Sequence, residues 1–411
     1  MKTVAIDLGT TTIKCALYEN GNRVKYFGKE YDLIHKNGRI YQNPQDWVNL
    51  ISEGIKSFEI NEKIDGVCIS SQGITILPID ENGTPLSYAE SWLDVSAISE
   101  IEEIKNKFGK DAIFNKTGKK LLPYYSMPKI MRANNEIKGV YKYLMPSDYI
   151  YYLLCGNYCT DYTMASGTML FDINKREYDS ELLSFSKTKK EQLSNVVLYG
   201  TLIGNVTLEA QELFGLPKGT PVIMGAQDQK CSAIYCGIED GTATVSVGTS
   251  TAISTFLKED GYSAFAFDDT NIIYEHAIGT TGAAIKWVKN LAFNSYEEMN
   301  ESAKAAKEVD GVEFDTDFES GASISGLTLS TQKGHLAYAV FKGVAKKIAK
   351  ALPKNVNKII LFGGGAKSSV LVSEVIKQTG AQVIVPNDVE TALAGANRII
   401  EIYYERSKEK C

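Results

Sequence analysis

The sequence predicts an α/β protein built as two related domains, and three observations carry that prediction. At about 150 residues per domain, 411 residues suffice for two or three domains. Short apolar runs that end in Gly, Thr or Asn turns alternate with longer helical patterns. One local pattern also occurs twice. Val4-Ala5-Ile6-Asp7-Leu8-Gly9-Thr10-Thr11-Thr12 lies over Ala243-Thr244-Val245-Ser246-Val247-Gly248-Thr249-Ser250-Thr251, 239 residues further on. Gly9 pairs with Gly248, Thr10 with Thr249 and Thr11 with Ser250, while Ile6 and Leu8 pair with Val245 and Val247. That period is too long for a solenoid and suits a duplicated domain, with chance the competing reading of so short a pattern. The boundary is expected near Gly237 to Gly241, giving domains 1–238 and 239–411.

The elements follow in order. Val4 to Asp7 reads as a strand that runs into the Gly9 turn, and Ile13 to Tyr18 as the strand that leaves it. Asn20-Gly21 marks a hairpin, with Arg23 to Phe27 returning. Pro44 to Phe58 reads as a helix, with Asn43 as N-cap and Pro44 at the first position. Val67 to Ser71 is a buried strand whose carboxyl end carries Gln72-Gly73, where open α/β sheets place ligand groups. In the second half, His335 to Leu352 is a helix closed by Pro353, and Lys358 to Phe362 is a strand. A helix from about Ser368 to Thr379, a strand from Ala381 to Val385 and a helix from Glu390 to Glu405 complete the chain.

Composition narrows the function classes. Lys and Arg total 44 against 50 Asp and Glu, a net charge of -6, which argues against a broad nucleic-acid footprint. Lys187, Lys189 and Lys190 read as a solvated face. No apolar run is long enough to span a bilayer, and Asp7 interrupts the N-terminal one before a signal core forms, so a cytoplasmic setting is expected. Seven cysteines is an odd count, and neither Cys155/Cys159 nor Cys231/Cys236 has CxxC spacing. With three scattered histidines, neither a disulfide framework nor a zinc site is expected.

Three places could carry chemistry. Gly9-Thr10-Thr11-Thr12 offers backbone N–H groups on a tight turn, an anion-binding nest, and Asp7 just before it could hold Mg²⁺ through water. The alternative is an ordinary turn. Gly363-Gly364-Gly365, followed by Ala366, lets a flat ligand approach the backbone, although any strand–helix turn could use such glycines. It matches neither a Walker loop nor GxGxxG. Asp228 ends the apolar strand that begins at Pro221, where a carboxylate could take a proton from a substrate hydroxyl or simply cap the helix starting at Gln229.

In this order the pieces resemble the FGGY family of carbohydrate kinases, within the actin/hexokinase/Hsp70-like ATPase superfamily, and the resemblance covers nearly the whole chain. Asp7 to Thr12 is similar to the family's first phosphate motif, Ser246 to Ser250 to the second, and Leu361 to Ala366 to the adenosine motif. Ser71-Gln72-Gly73, Trp92-Leu93-Asp94, Thr160-Asp161 and Ala165 to Thr168 are similar to its sugar-domain landmarks, and Ala322 to Phe341 to its C-terminal signature. The resemblance implies two actin-like, ribonuclease-H-like domains with a cleft between them, ATP and Mg²⁺ as cofactors, and a small sugar or polyol as acceptor. By that resemblance Asp228 is the catalytic base, Asp7 the Mg²⁺ residue, and Gly9 to Thr12, Gly248 to Ser250 and Gly363 to Ala366 the ATP contacts. Gln72, Gly73, Asp94, Tyr124 and Gln229 are the candidate acceptor contacts.

A ketopentose such as xylulose leads, with sedoheptulose, glycerol and gluconate as other acceptors and a homodimer as the base-rate assembly. Departures from the family pattern bear on this. Lys342 stands where an acidic residue or Gln is usual, and the segment from Trp287 to Gly326 is short and lacks a Gly-Glu-Arg loop. Gly73-Ile74-Thr75 replaces both the Met-His-Gly of xylulose kinases and the Arg-Glu of glycerol kinases, while Pro123-Tyr124 before Lys129 resembles a substrate-side tyrosine of the latter. A catalytically weak sugar-binding relative is therefore the alternative function, and a chaperone-type ATPase is disfavoured because no residues remain for a peptide-binding domain.

Overall fold

A computed structural model describes residues 1–306, 311–318 and 320–409. Residues 307–310, 319, 410 and 411, all assigned by sequence to the second domain, lie outside the described residues. The chain divides into two compact units, the first comprising 1–235, 263–272 and 392–411, the second 236–262 and 273–391.

The first unit is built on one mixed sheet. Its strands are β1 (Lys2–Leu8), β2 (Thr12–Glu19), β3 (Asn22–Glu30), β4 (Gly66–Ser71), β5 (Leu202–Asn205) and β6 (Pro221–Gln227), in the order β5-β6-β4-β1-β2-β3. β1, β2 and β3 form an antiparallel meander, whereas β4 and β6 run parallel to β1. The Asn-Gly hairpin forms as its residue types require, with Asn20 and Gly21 both at positive φ (49° and 81°). Helix α1 (Pro44–Lys56) starts at Asn43, whose side chain accepts from the Gln45 N–H at 3.2 Å, and buries Trp47, Ile51 and Ile55. Further along lie α2 (Ser126–Glu136), α3 (Pro146–Cys155), α4 (Tyr162–Gly167) and α5 (Asp228–Tyr235).

The second unit repeats the plan. β7 (Thr242–Val247), β8 (Thr251–Thr255), β9 (Ile272–Ile278), β10 (Lys358–Phe362) and β11 (Gln382–Ile384) run in the order β9-β8-β7-β10-β11. β7 is antiparallel to β8, β8 to β9, and β10 and β11 lie parallel. Numbered within each unit, the first sheet reads third–second–first–fourth–sixth–fifth and the second third–second–first–fourth–fifth, so the two share the run third–second–first–fourth, each beginning at the strand before its Gly-Thr turn. Helices α6 (Gly282–Ala292), α7 (Lys333–Ala351) and α8 (Ser369–Thr379) cover this sheet, with Val340, Val344 and Ile348 of α7 in the core.

The final helix, Thr391–Glu409, groups with the first unit, whereas a cut at 238/239 assigns it to the second. Its packing explains why. Asn397 accepts a hydrogen bond from Thr3, Tyr404 donates to Asp65 O at 2.7 Å, and Ile400 lies so close to Gly66 that an added Cβ would be 2.8 Å from it. Among the described residues no helix is long and apolar enough to cross a membrane.

Candidate active site

In the first unit the chain reverses between β1 and β2 at Gly9 to Thr11, and Thr12 already belongs to β2. The Gly9 N–H closes the turn on Thr12 O at 3.1 Å. Its carbonyls are held from the protein side. Tyr31 Oη donates to Gly9 O at 2.7 Å, Gln72 Nε2 to Gly9 O at 3.2 Å and Gln42 Nε2 to Thr10 O at 2.7 Å. Burial pushes the Tyr31 phenol up, so it remains a donor. Among the described residues no hydrogen bond uses the Thr10 or Thr11 N–H. Fixed carbonyls and available N–H groups are what an anion nest requires.

Asp7 is buried beside this turn. Ser70 Oγ donates to its Oδ1 at 2.9 Å, and Lys14 Nζ lies 3.6 Å from its Oδ2. Among the described residues no group of three His, Cys, Asp or Glu side chains could hold a metal. One carboxylate completed by waters and phosphate oxygens is the usual magnesium arrangement, and Asp7 fits it.

The acceptor-side residues separate into two sets. Gln72 and Asp94 turn inward. Gln72, 2% exposed, exchanges amide hydrogen bonds with Gln42 and supports the turn. Asp94, 1% exposed, accepts from Ile40 N (2.8 Å), Ser96 N (3.0 Å) and Ser96 Oγ (2.6 Å), with Arg132 3.4 Å away. Burial alone would raise its pKa, but these hydrogen bonds and the Arg132 charge leave it lowered. The sequence reading had both among hydroxyl contacts. As placed, they brace the turn and the Trp92 loop, because their oxygens are taken by the protein itself. Trp92 Nε1 donates to Thr10 Oγ1 at 2.7 Å, tying that loop to the turn.

Gly73, Tyr124, Asp228 and Gln229 are half-buried. A Cβ on Gly73 would lie 3.4 Å from Gln227 Cγ, so Gly73 and the Gln227-Asp228 pair are neighbours. Tyr124 packs its ring on Tyr125, with centroids 4.6 Å apart. Asp228 opens α5 at the carboxyl end of β6. Its Oδ1 accepts from Gln227 Nε2 and from the Gln229 N–H at 2.6 Å, so it takes a backbone N–H as a cap does while only half-buried. Behind it, Asp161 caps α4, and the Gln227 N–H donates to Thr163 Oγ1 at 2.9 Å. Burial raises the Asp161 pKa to about 6 against its hydrogen bonds from Thr163 and Met164.

In the second unit Gly248, Thr249 and Ser250 are exposed, and the Gly248 N–H closes on Ser250 O at 3.0 Å, one residue tighter than the first turn. The N-terminus of α6 holds this turn, as the Ala283 N–H donates to Thr249 O at 3.0 Å. A Cβ on Gly282 would overlap Gly248 O. The three glycines after β10 differ in what they meet. Gly363 has φ +86°, and a Cβ there would sit 2.8 Å from Val247 O; one on Gly365 would collide with Val247. Around Gly364 a Cβ would meet nothing within 4 Å. Packing therefore explains two of the glycines, while Gly364 faces open space. Phe362, Gly363, Ala366 and Lys367, with Val385, Pro386, Asp388 and Val389, line an open pocket. Lys342, the departure from the family signature, pairs with Glu313 at 2.9 Å.

Ser70, Lys14, Tyr31, Gln42, Lys119 and Lys230 were not singled out by sequence. Two were within reach, because the hairpin register sets Lys14 opposite Asp7 and the parallel register sets Ser70 beside it. Tyr31 directly follows β3 and Gln42 ends the short strand Arg39–Gln42, neither with a local signal. Lys119 and Lys230 are fully buried lysines in the acceptor-side unit, their Nζ atoms 3.1 and 3.6 Å from the Phe265 ring centre.

Comparison with known proteins agrees with this arrangement. Residues 2–235, more than half of the chain, match the model of the FGGY family of carbohydrate kinases, N-terminal domain. Over 406 residues the chain is 25% identical to a xylulose kinase of Staphylococcus xylosus, covering 89% of this chain and 83% of that one. A gluconokinase of Bacillus subtilis is 24% identical over 443 residues, covering 96% and 86%. The crystal structure of a ligand-bound xylulose kinase from Lactobacillus acidophilus matches with a TM-score of 0.88 at 24% identity, over 98% of this chain and 90% of that one. This likeness gives the chain the two-domain α/β fold of that kinase, and the matched family model means that the chain belongs to the FGGY family of carbohydrate kinases.

Proposed function

We propose that the protein transfers the γ-phosphate of Mg-ATP to a primary hydroxyl of an open-chain sugar or polyol, with a ketopentose such as xylulose as the leading acceptor. The observation that carries this is Asp228, a half-buried carboxylate at the carboxyl end of a sheet strand, beside Gly73 and backed by Thr163. In this reading Asp228 accepts the hydroxyl proton and orients the oxygen for attack. The N–H groups at Thr10 and Thr11, and those at Thr249 and Ser250, stabilise the phosphoryl oxygens, and positioning and charge supply most of the rate in a loose transition state. Asp7 would hold Mg²⁺ through water, and the cation when bound neutralises phosphate charge. The adenine end of the nucleotide would lie in the pocket lined by Gly363, Ala366 and Val385, next to the open space at Gly364. Gly73, Tyr124 and Gln229 supply the acceptor contacts.

A second acceptor class is favoured by one observation. Two buried ammonium groups, Lys119 and Lys230, share the Phe265 ring, and Lys230 lies two residues after Asp228. Concentrated positive charge there suits a carboxylate-bearing acceptor such as gluconate. Acceptor-dependent ADP release from Mg-ATP, measured across ketopentoses, ketohexoses, sedoheptulose, polyols and aldonates, tests both readings. A strong ketopentose response supports the first and an aldonate-only response the second. Acceptor-independent release throughout would overturn the kinase reading in favour of a catalytically weak relative.

A further inference from the structure

β6 is not a regular strand. Val222 and Ile223 pair with Val67 and Cys68 of β4, but Ala226 and Gln227 pair with Ser70 and Ser71. Met224 and Gly225 therefore face Ile69 together, a β-bulge three residues before Asp228. A bulge adds one residue to a strand, and a shift of one residue exchanges the faces of all that follows. Without it the end of β6 would turn Asp228 to the other side of the sheet.

A bulge also leaves backbone groups without ladder partners. Met224 finds its own on the far side, exchanging bonds with Gly200 N (2.8 Å) and Thr201 O (2.9 Å). Three backbone groups come together at the bulge, the Ile69 N–H, the Gly225 N–H and the Ile223 carbonyl, with the Ile69 carbonyl beside them. All three meet one atom, the hydroxyl of Tyr151 on α3. It accepts from Ile69 N at 3.0 Å and Gly225 N at 2.8 Å and donates to Ile223 O at 3.2 Å. A hydroxyl has two acceptor sites and one donor, so its capacity is filled. Tyr151 is 1% exposed, and burial raises its phenol well above the ordinary value, so the donor is retained. A Cβ on Gly225 would overlap Ile69 O, so the strands are at closest approach where this hydroxyl enters.

We infer that Tyr151 is a positioning residue for phosphoryl transfer: its hydroxyl fixes the β6 bulge and thereby the aim of Asp228. The inference rests on the reading of Asp228 as the base. Among the described residues the hydrogen bonds of the Tyr151 hydroxyl go to Ile69, Ile223 and Gly225 and none to Asp228, so it acts through backbone geometry. A misplacement of about 1 Å at a reacting group can lower the rate about a hundredfold.

The test is a double-mutant cycle on the full chain, with Mg-ATP and the best acceptor of the panel. Tyr151→Phe should lower kcat about tenfold or more, with acceptor KM and ADP affinity changed less than about threefold. Asp228→Asn should lower kcat further, and adding Tyr151→Phe to it should change the residual turnover less than about twofold, since no base remains to be aimed. Equal fold losses in the two backgrounds, or an unchanged kcat in Tyr151→Phe alone, overturn the inference. Near-normal kcat in Asp228→Asn overturns the base reading instead, a result distinct from an additive cycle on a crippled Asp228→Asn. If Tyr151→Phe does not fold, p-aminophenylalanine at position 151 keeps the ring but donates two bonds and accepts one. The same cycle then applies, with the same overturning results.

Discussion

Burial holds the Asp148 carboxyl at a pKa of about 7, although Ser194 Oγ, at 2.8 Å, and the Met145 N–H donate to it. An unfolded carboxyl titrates near 4, so between about pH 4 and 7 the folded chain binds the extra proton. Stability contributed by this group is therefore greatest at low pH and falls as pH rises through that window, by on the order of a few kcal/mol. Asp148→Asn removes the titration. Its Tm relative to the parent should climb between about pH 4.5 and pH 8, and a flat difference would show that Asp148 ionises normally. Asp94 shows the opposite balance, with burial outweighed by three hydrogen bonds and Arg132. Two buried aspartates of one unit thus differ in charge preference because of what donates to them, information that residue type does not carry.

At the scale of elements, the glycine turns can be told apart by what they touch. Gly364→Val should leave Tm within about 2 °C of the parent, because a Cβ there meets nothing, yet weaken ADP binding about tenfold if the nucleotide lies against it. Gly282→Ala should do the reverse of a local change: its Cβ overlaps Gly248 O, so the second phosphate turn must shift, lowering both Tm and ADP affinity. Calorimetric titration with ADP and a thermal melt separate the two, and normal ADP binding in Gly364→Val would remove the adenosine assignment from the glycine run. Elements made by local chemistry were legible in the sequence, including the Asn20-Gly21 hairpin, the Asn43-Pro44 helix start and the Gly-Thr turns. Strand ends were read short. Val4 to Asp7 became Lys2–Leu8 because backbone pairing continues past the apolar residues that signal it. In the candidate site, Gly9 and Gly248 stand out as local patterns and Asp228 only through the family resemblance, whereas Tyr31, Gln42 and Tyr151 carry no such signal. Each reaches its partner across more than 20 residues of chain, and only the assembled sheet brings them together.

For the whole molecule, the composition of the first unit matters most. Its sheet is complete by Gln227, but the helix that covers Gly66 and Thr3 comes from the last 20 residues, with Leu393, Ala396, Ile399 and Ile400 fully or almost fully buried. Removing that many core side chains costs several kcal/mol, a large part of ordinary domain stability. A chain ending at residue 390 should therefore show a first unit that melts at least about 10 °C lower or fails to fold, read by calorimetry. Unchanged melting would mean that the helix contributes little to that core. The same arrangement bears on how the protein is made. At about 5–20 residues per second, a ribosome needs about 20–80 s for this chain. For nearly all that time the N-terminal sheet exists without the helix that finishes its core. Any product cut short before residue 391 by a premature stop or a frameshift carries an unfinished first core.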